Sequence, residues 1–232
     1  GAAPPPLVLP PPVVVPTLAV EAPRKSITLT RAVLKLKDGQ VWATFGDVMV
    51  CNLITRDIRW SAEQSEIESE RFSAIFEEEA KQAGFAAGDN LFEADAARAD
   101  LQVGVIIEDM QARFCGARAT ETSPISYRGS LVMTAQWQIY DPIQREVVGR
   151  VSTVAGGEEK KVSRDGVERT VYAAFRQSAR TLLADPAFRQ VALSSRSTAT
   201  ATPQALTPIS LAATAPAGRR VIADASGSVV AI

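Results

Sequence analysis

The chain has 232 residues, Lys+Arg 25 against Asp+Glu 26, and no histidine. That absence excludes a Ser-His-Asp or Cys-His catalytic unit, a zinc site with histidine ligands and a histidine pH switch. Two cysteines are too few for a four-thiolate metal site, and a net charge of −1 argues against a nucleic-acid surface.

Residues 1–25 form a proline-rich arm, GAAPPPLVLPPPVVVPTLAVEAPRK. Each proline lacks a backbone donor and holds φ near −65°, so the run predicts an extended polyproline conformation. Between the prolines stand Leu7, Val8, Leu9, Val13, Val14 and Val15, unlike a solvated linker. Two readings remain open: a stiff spacer, or a strap that docks on another surface. In the second, Val8, Leu9, Val13 and Val14 are the candidate partner contacts. No apolar run is long enough to span a bilayer, and no secretory signal pattern is present. A start at GAAPPP fits a processed product, and any lipid anchor would lie upstream.

From Ser26 to Leu193 the pattern is that of a packed domain. Ile27, Leu29 and Val33 alternate with polar residues over 26–36, and 41–54 carries Val41, Trp42, Phe45, Val48, Met49 and Val50. Asp38-Gly39 between them predicts a hairpin. Ser61-Ala62-Glu63-Gln64 matches a capping box that opens a helix of about six turns. Ile67, Phe72, Ile75, Phe76 and Ala83 share one face of it, opposite Glu66, Glu70, Glu77 and Lys81. Gly84-Phe85 reads as its C-terminal cap.

Leu101, Val103, Val105 and Ile107 alternate with polar or small residues, a strand with one core face. Leu131, Met133, Ala135, Trp137 and Ile139 alternate likewise; 140–144 turns around Pro142, and 147–154 returns. A second helix is predicted over 167–184, with Val171, Ala174, Phe175, Ser178 and Leu182 inward and Asp185-Pro186 as its stop. The expected fold class is α+β: an antiparallel sheet of about five strands with two helices packed on one face. Residues 194–218 have Ser/Thr/Ala/Pro linker chemistry, and 219–232 read as the start of a strand or of a further domain.

Chemistry-bearing groups are sparse. Cys51 and Cys115 both fall in or at the end of predicted strands, where an interstrand disulfide, buried free thiols, or a reactive thiol beside Arg113 or Arg118 are the alternatives. Glu77-Glu78-Glu79 reads as a solvated helix face, because adjacent helical residues splay by about 100° and do not converge as a glycosidase pair must. Glu158-Glu159-Lys160-Lys161 reads as a charged surface loop and Gly156-Gly157 as a turn. Trp42, Trp60 and Trp137 are not spaced as a stacking platform, and Trp137 reads as core. No catalytic residue, cofactor or metal is expected.

Two resemblances follow from these segments. WQIYDPIQREVVGRV (137–151) resembles the strand-turn-strand of the ABC-transporter auxiliary lipoproteins, the amino-terminal domain of the Tol periplasmic protein and the curli secretion lipoprotein. AAFRQSARTLLADPAFRQVAL (173–193) is similar to their closing helix. Arg98-Ala99-Asp100-Leu101 resembles the lead-in to their central strand, with Leu101 in place of an aromatic. This resemblance implies a bacterial envelope protein, periplasmic or at the outer membrane, acting by docking or oligomerisation with protein partners. RRVIADASGSVVAI (219–232) resembles the first barrel strand of envelope trypsin-like serine peptidases, which implies a rival: a non-catalytic regulatory or targeting region ahead of a peptidase domain.

Overall fold

The alternation over 131–154 builds the centre of the molecule, a long hairpin. A computed structural model describes residues 7–22, 24–46, 54–61, 69–85, 99–117, 125–194, 221–223 and 229–231. In it β1 (Ile27–Leu34), β2 (Val41–Gly46) and β3 (Ile54–Arg59) precede α1 (Ser69–Gln82). Then come β4 (Leu101–Ala117), β5 (Ser126–Asp141), β6 (Glu146–Ser163), α2 (Gly166–Ala184) and α3 (Pro186–Ala192). The chain divides into two units, Gly1–Arg196 and Ser197–Ile232. The second holds β7 (Val221–Ala223) paired antiparallel with β8 (Val229–Ala231).

The first unit is α+β, as expected, but its sheet has six strands and is mixed: β3-β2-β4-β5-β6, with β1 also on β4. The predicted Asp38-Gly39 hairpin between β1 and β2 is not formed. Both strands run parallel to β4, one after the other along the same side: Ile27–Leu34 lies against Leu101–Ile107, and Ala43–Gly46 against Ala112–Cys115. The turn exists, with Gly39 at φ 72, but it steps the chain sideways and does not reverse it. Backbone bonds between Gly39 and Trp60, and between Gln40 and Trp60, hold it against the end of β3. The antiparallel partner of β2 is β3, so 41–54 is not one strand.

β4 carries 17 residues, and a single bulge shifts the parity of its buried positions midway so that one face stays on the core. Leu101, Val103, Val105 and Ile107 are buried; beyond the shift between Ile107 and Asp109 the buried set is Met110, Ala112 and Phe114. In β5, Leu131 to Ile139 alternate buried and half-buried without a break.

The hairpin turn works as its chemistry predicts. The Asp141 carboxylate accepts from the backbone N–H groups of Ile143 (2.8 Å) and Gln144 (3.1 Å), and Arg145, at φ 58, closes back on the Asp141 carbonyl.

All three helices pack on one face of the sheet. α1 begins at Ser69 in the described residues, about four turns long; Ala62–Gln64 of the predicted capping box and Ile67 lie outside them. Its C-terminus is the predicted cap: Gly84 at φ 84 bonds the Lys81 carbonyl and Phe85 the Ala80 carbonyl, and the Phe85 ring meets Phe188 edge-on. Asp185-Pro186 ends α2, as expected, and at once starts α3, a separate helix that the residue pattern did not predict. The Asp185 carboxylate accepts from Ala187 and Phe188 N–H at 2.8 and 3.1 Å, and Pro186 needs no donor at the first helical position.

Two expectations for β6 are corrected. Gly156-Gly157 and Glu158–Lys161 are neither turn nor loop; they lie within the 18-residue strand. Gly157 stands where α2 crosses: a Cβ there would lie 2.1 Å from the Ala174 nitrogen. The glycine is a requirement of helix-on-sheet contact, not of chain reversal.

Candidate docking surface

The helical layer is fastened by two polar devices. In the first, Trp137 is fully buried, and its indole N–H reaches Thr153 Oγ1 at 2.9 Å and Ser178 Oγ at 3.3 Å. Thr153 and Ser178 bond each other at 2.7 Å. One donor group thus ties β5, β6 and α2, and Trp137 is core, as read.

In the second, Glu79 corrects the reading of Glu77–Glu79 as a wholly solvated face. It is only 3% exposed and accepts from Arg176 (2.8 Å) and, by a fork, from Arg180 (2.6 and 3.2 Å). Glu78 takes the second bond of Arg176 at 2.9 Å. Partial burial pulls the Arg176 guanidinium down in pKa, and the bonds to Glu78 and Glu79 more than offset it, so its pKa is raised. The signal was in the spacing: 79 continues the 72, 75, 76 stripe at helical intervals, and 176 and 180 are one turn apart on α2.

Residues 7–22 of the proline arm lie on their own domain. Around Gly156, Leu9 Cβ and Pro10 Cδ each stand 3.1 Å from where a Cβ would be. The Val13 N–H donates to Gln177 Oε1 on α2 (3.3 Å), Arg189 of α3 donates to the Pro16 carbonyl (2.5 Å), and Leu18 N–H donates to the Ala83 carbonyl (3.0 Å). Arg24 then bonds the Gly84 carbonyl at 2.5 Å, and β1 begins. Exposure along the arm follows the three-residue polyproline period: positions 8, 11, 14, 17 and 20 all face solvent. Of the four candidate contacts, Leu9 and Val13 are half-buried against the arm's own domain. Val8 and Val14 face outward, 80% and 88% exposed.

Gly156 and Gly157 point to opposite faces, and Gly157 meets α2. Leu9 and Pro10 therefore lie on the helix-free side of β6, while Val13, three residues on, is bonded to α2. The chain can make that passage only around the outer border of β6, the last strand of the sheet. Because prolines 10–12 have no N–H, the strap crosses the border without extending the ladder.

The helix-free face carries amides and hydroxyls with valines among them. Gln136, Gln138, Thr134 and Val132 come from β5, and Ser152 and Val154 from β6. Gln136 and Ser152 are bonded across strands at 3.2 Å. At the sheet's far end a groove of about 370 Å³ is lined by Arg113, Cys115, Arg128, Ser130, Glu158 and Lys160. Its charges are mixed, Lys160 lying 3.6 Å from Glu158. The neighbouring Glu159 carboxyl is held below its ordinary pKa by the Lys161 backbone N–H and then by Arg169 at 2.8 Å. Among the described residues no group of three or more carboxylate or thiol ligands converges for a metal, and no helix is long and apolar enough to cross a membrane.

Cys115 lies on β4 opposite Arg128 and beside Gly46, and it stands as a disulfide cysteine, not a free thiol. Cys51 and Arg118 lie outside the described residues.

No family model and no curated protein sequence matches the chain. Solved structures similar to it include two bacterial proteins. Protein XCC0632 from Xanthomonas campestris, of the DUF330 family model, is 11% identical with a TM-score of 0.39, over 75% of this chain and 90% of that one. A protein described as a homolog of neuraminyllactose-binding hemagglutinin from Helicobacter pylori is 6% identical with a TM-score of 0.28, over 75% and 97%. Both are bacterial proteins, and likenesses of this degree leave the function to be argued from the chain itself.

Proposed function

We propose that this chain is a non-catalytic interaction module of the bacterial envelope that works by holding protein partners against the helix-free face of its sheet. The observation that carries the reading is the asymmetry of the sheet. One face is occupied by three helices and sealed by the Trp137 and Glu79 devices. The other presents half-exposed Gln, Thr, Ser and Val side chains on strands of 16 to 18 residues. Such a face offers hydrogen-bonding groups and apolar contacts on a rigid support, the ingredients of a polar interface. The absence of histidine from the whole sequence supports a non-catalytic role, and the resemblance to auxiliary lipoproteins supports the envelope.

The test is site-specific photo-crosslinking in bacterial cells. A crosslinking residue at Thr134 or Gln138, on the bare face, is expected to give discrete protein adducts. The same residue at Glu70 or Lys81, on α1, is expected to give few. Equal yields from both faces, or none from the sheet, would refute the reading.

We further propose that Cys51 is bridged to Cys115. The chain holds no third cysteine, and Cys51 is five residues beyond Gly46, the register neighbour of Cys115. Such a bridge suits an oxidising compartment and closes a loop of roughly 60 residues, worth about 4 kcal/mol in the chain-entropy account. Denatured protein kept from reductant should show no free thiol, and reduction should lower the Tm. Two free thiols per chain in protein purified from the periplasm would contradict the bridge.

A further inference from the structure

β6 is the longest strand and the last of its sheet. Among the described residues no backbone hydrogen bond runs from its outer border to another element. An open border of 18 residues is a template for a further strand, and proteins that keep such borders protect them. Here the protection is the strap, which crosses near the middle of β6 and is built of residues that cannot join the ladder.

We propose that the β6 border is a self-pairing surface held closed by this strap, on which a second copy of the chain adds antiparallel about Val154 once the strap lifts. The inference goes beyond the docking reading, since it concerns the border of β6 and not the face of the sheet. The choice of a second copy comes from the charge pattern. A two-fold axis at Val154 uses nearly the whole strand and sets Arg150 of each copy directly opposite Glu158 of the other. All three side chains lie on the helix-free face, so each pair meets on one side of the joined sheet. Val154, 52% exposed, faces its own counterpart on the axis, and Ser152 faces Gly156. Arg150 has no ion pair among the described residues. Glu158 now meets only the well-exposed Lys160, a weak surface contact that leaves the carboxylate open to a better partner. Any other register about a nearby axis breaks the Arg150–Glu158 match.

The test uses the full chain with the strap lifted by Gly156→Val, whose branched side chain occupies the space of Leu9 and Pro10. The unaltered chain is expected to run as a monomer in light scattering, and the variant as a dimer over a wide concentration range. In that background Arg150→Glu or Glu158→Arg alone should weaken the dimer about tenfold or more, and the two together should restore it. A chain beginning at Thr17 repeats the test without a new side chain. In the chain beginning at Thr17, Val154→Cys should form a disulfide-linked dimer under mild oxidation, with Ser152→Cys forming little.

A strap-lifted chain that stays monomeric, a dimer indifferent to the charge reversals, or equal crosslinking at 152 and 154 would each overturn the proposal. If the strap-lifted chain stays monomeric while Gln138 still crosslinks to other proteins, self-pairing falls and the docking reading stands.

Discussion

Trp137→Ala is expected to destabilise the first unit by about 3–5 kcal/mol, a large part of the stability of an ordinary domain. The indole is fully buried between the rings of Phe76 and Phe175, at centroid distances of 5.9 and 5.7 Å. Phe72 in turn meets Phe175 edge-on at 4.5 Å. Its removal opens a void under both α1 and α2, which packed neighbours fill only in part. Trp137→Phe separates packing from hydrogen bonding. It keeps an aromatic ring but loses the donor, and Thr153 and Ser178 remain satisfied by each other, so its cost should be about 1 kcal/mol plus that of the smaller ring. Urea unfolding of the two variants checks the order. Near-equal losses would mean that the indole N–H, not the ring, holds the layers together.

Glu79→Ala is expected to cost about 3 kcal/mol, more than Arg180→Ala. Removing the carboxylate strips both bonds from Arg180, leaving its half-buried guanidinium without that counter-charge, and leaves Arg176 with Glu78 alone. Removing Arg180 leaves Glu79 still bonded to Arg176. Replacing both Glu79 and Arg180 by leucine should recover most of the loss, since the desolvation cost of the ions disappears with their attraction. The measurement is a double-mutant cycle in denaturant. A coupling energy near zero would show that α1 and α2 are joined by their apolar stripe alone.

Particular elements show what was legible in the sequence. The β5–β6 hairpin, α2 and the Gly84 cap are specified locally, by alternation, a helical stripe and turn chemistry, and they appear where those signals stand. β1 and β2 failed because a turn signal states that the chain bends, not which strand it will meet. Their true neighbour, β4, lies beyond α1 and is joined to them by no local code. The strand through Gly156–Lys161 was missed because glycines and charges mark loops in isolation, whereas here one glycine admits α2 and the charges line an outer border. Glu79 was legible in its spacing but masked by its acidic neighbours. For the arm, composition predicted an extended conformation and left open whether it was a spacer or a docked strap. Leu9 and Val13 turn out to be spent on their own domain, which leaves Val8 and Val14 outward and moves the candidate interface to the sheet.

Hydrogen exchange on the intact chain tests the strap's closure of the β6 border most directly, because the Val13 and Leu18 amides are bonded within the domain and those of β6 lie beneath the crossing. The account predicts slow exchange at Val13 and Leu18. It also predicts that the chain lacking residues 1–16, diluted until it is monomeric, exchanges faster along β6 around Val154 than the intact chain, with the β4 amides unchanged. Free-chain exchange rates at Val13 and Leu18, with β6 indifferent to the truncation, would contradict it.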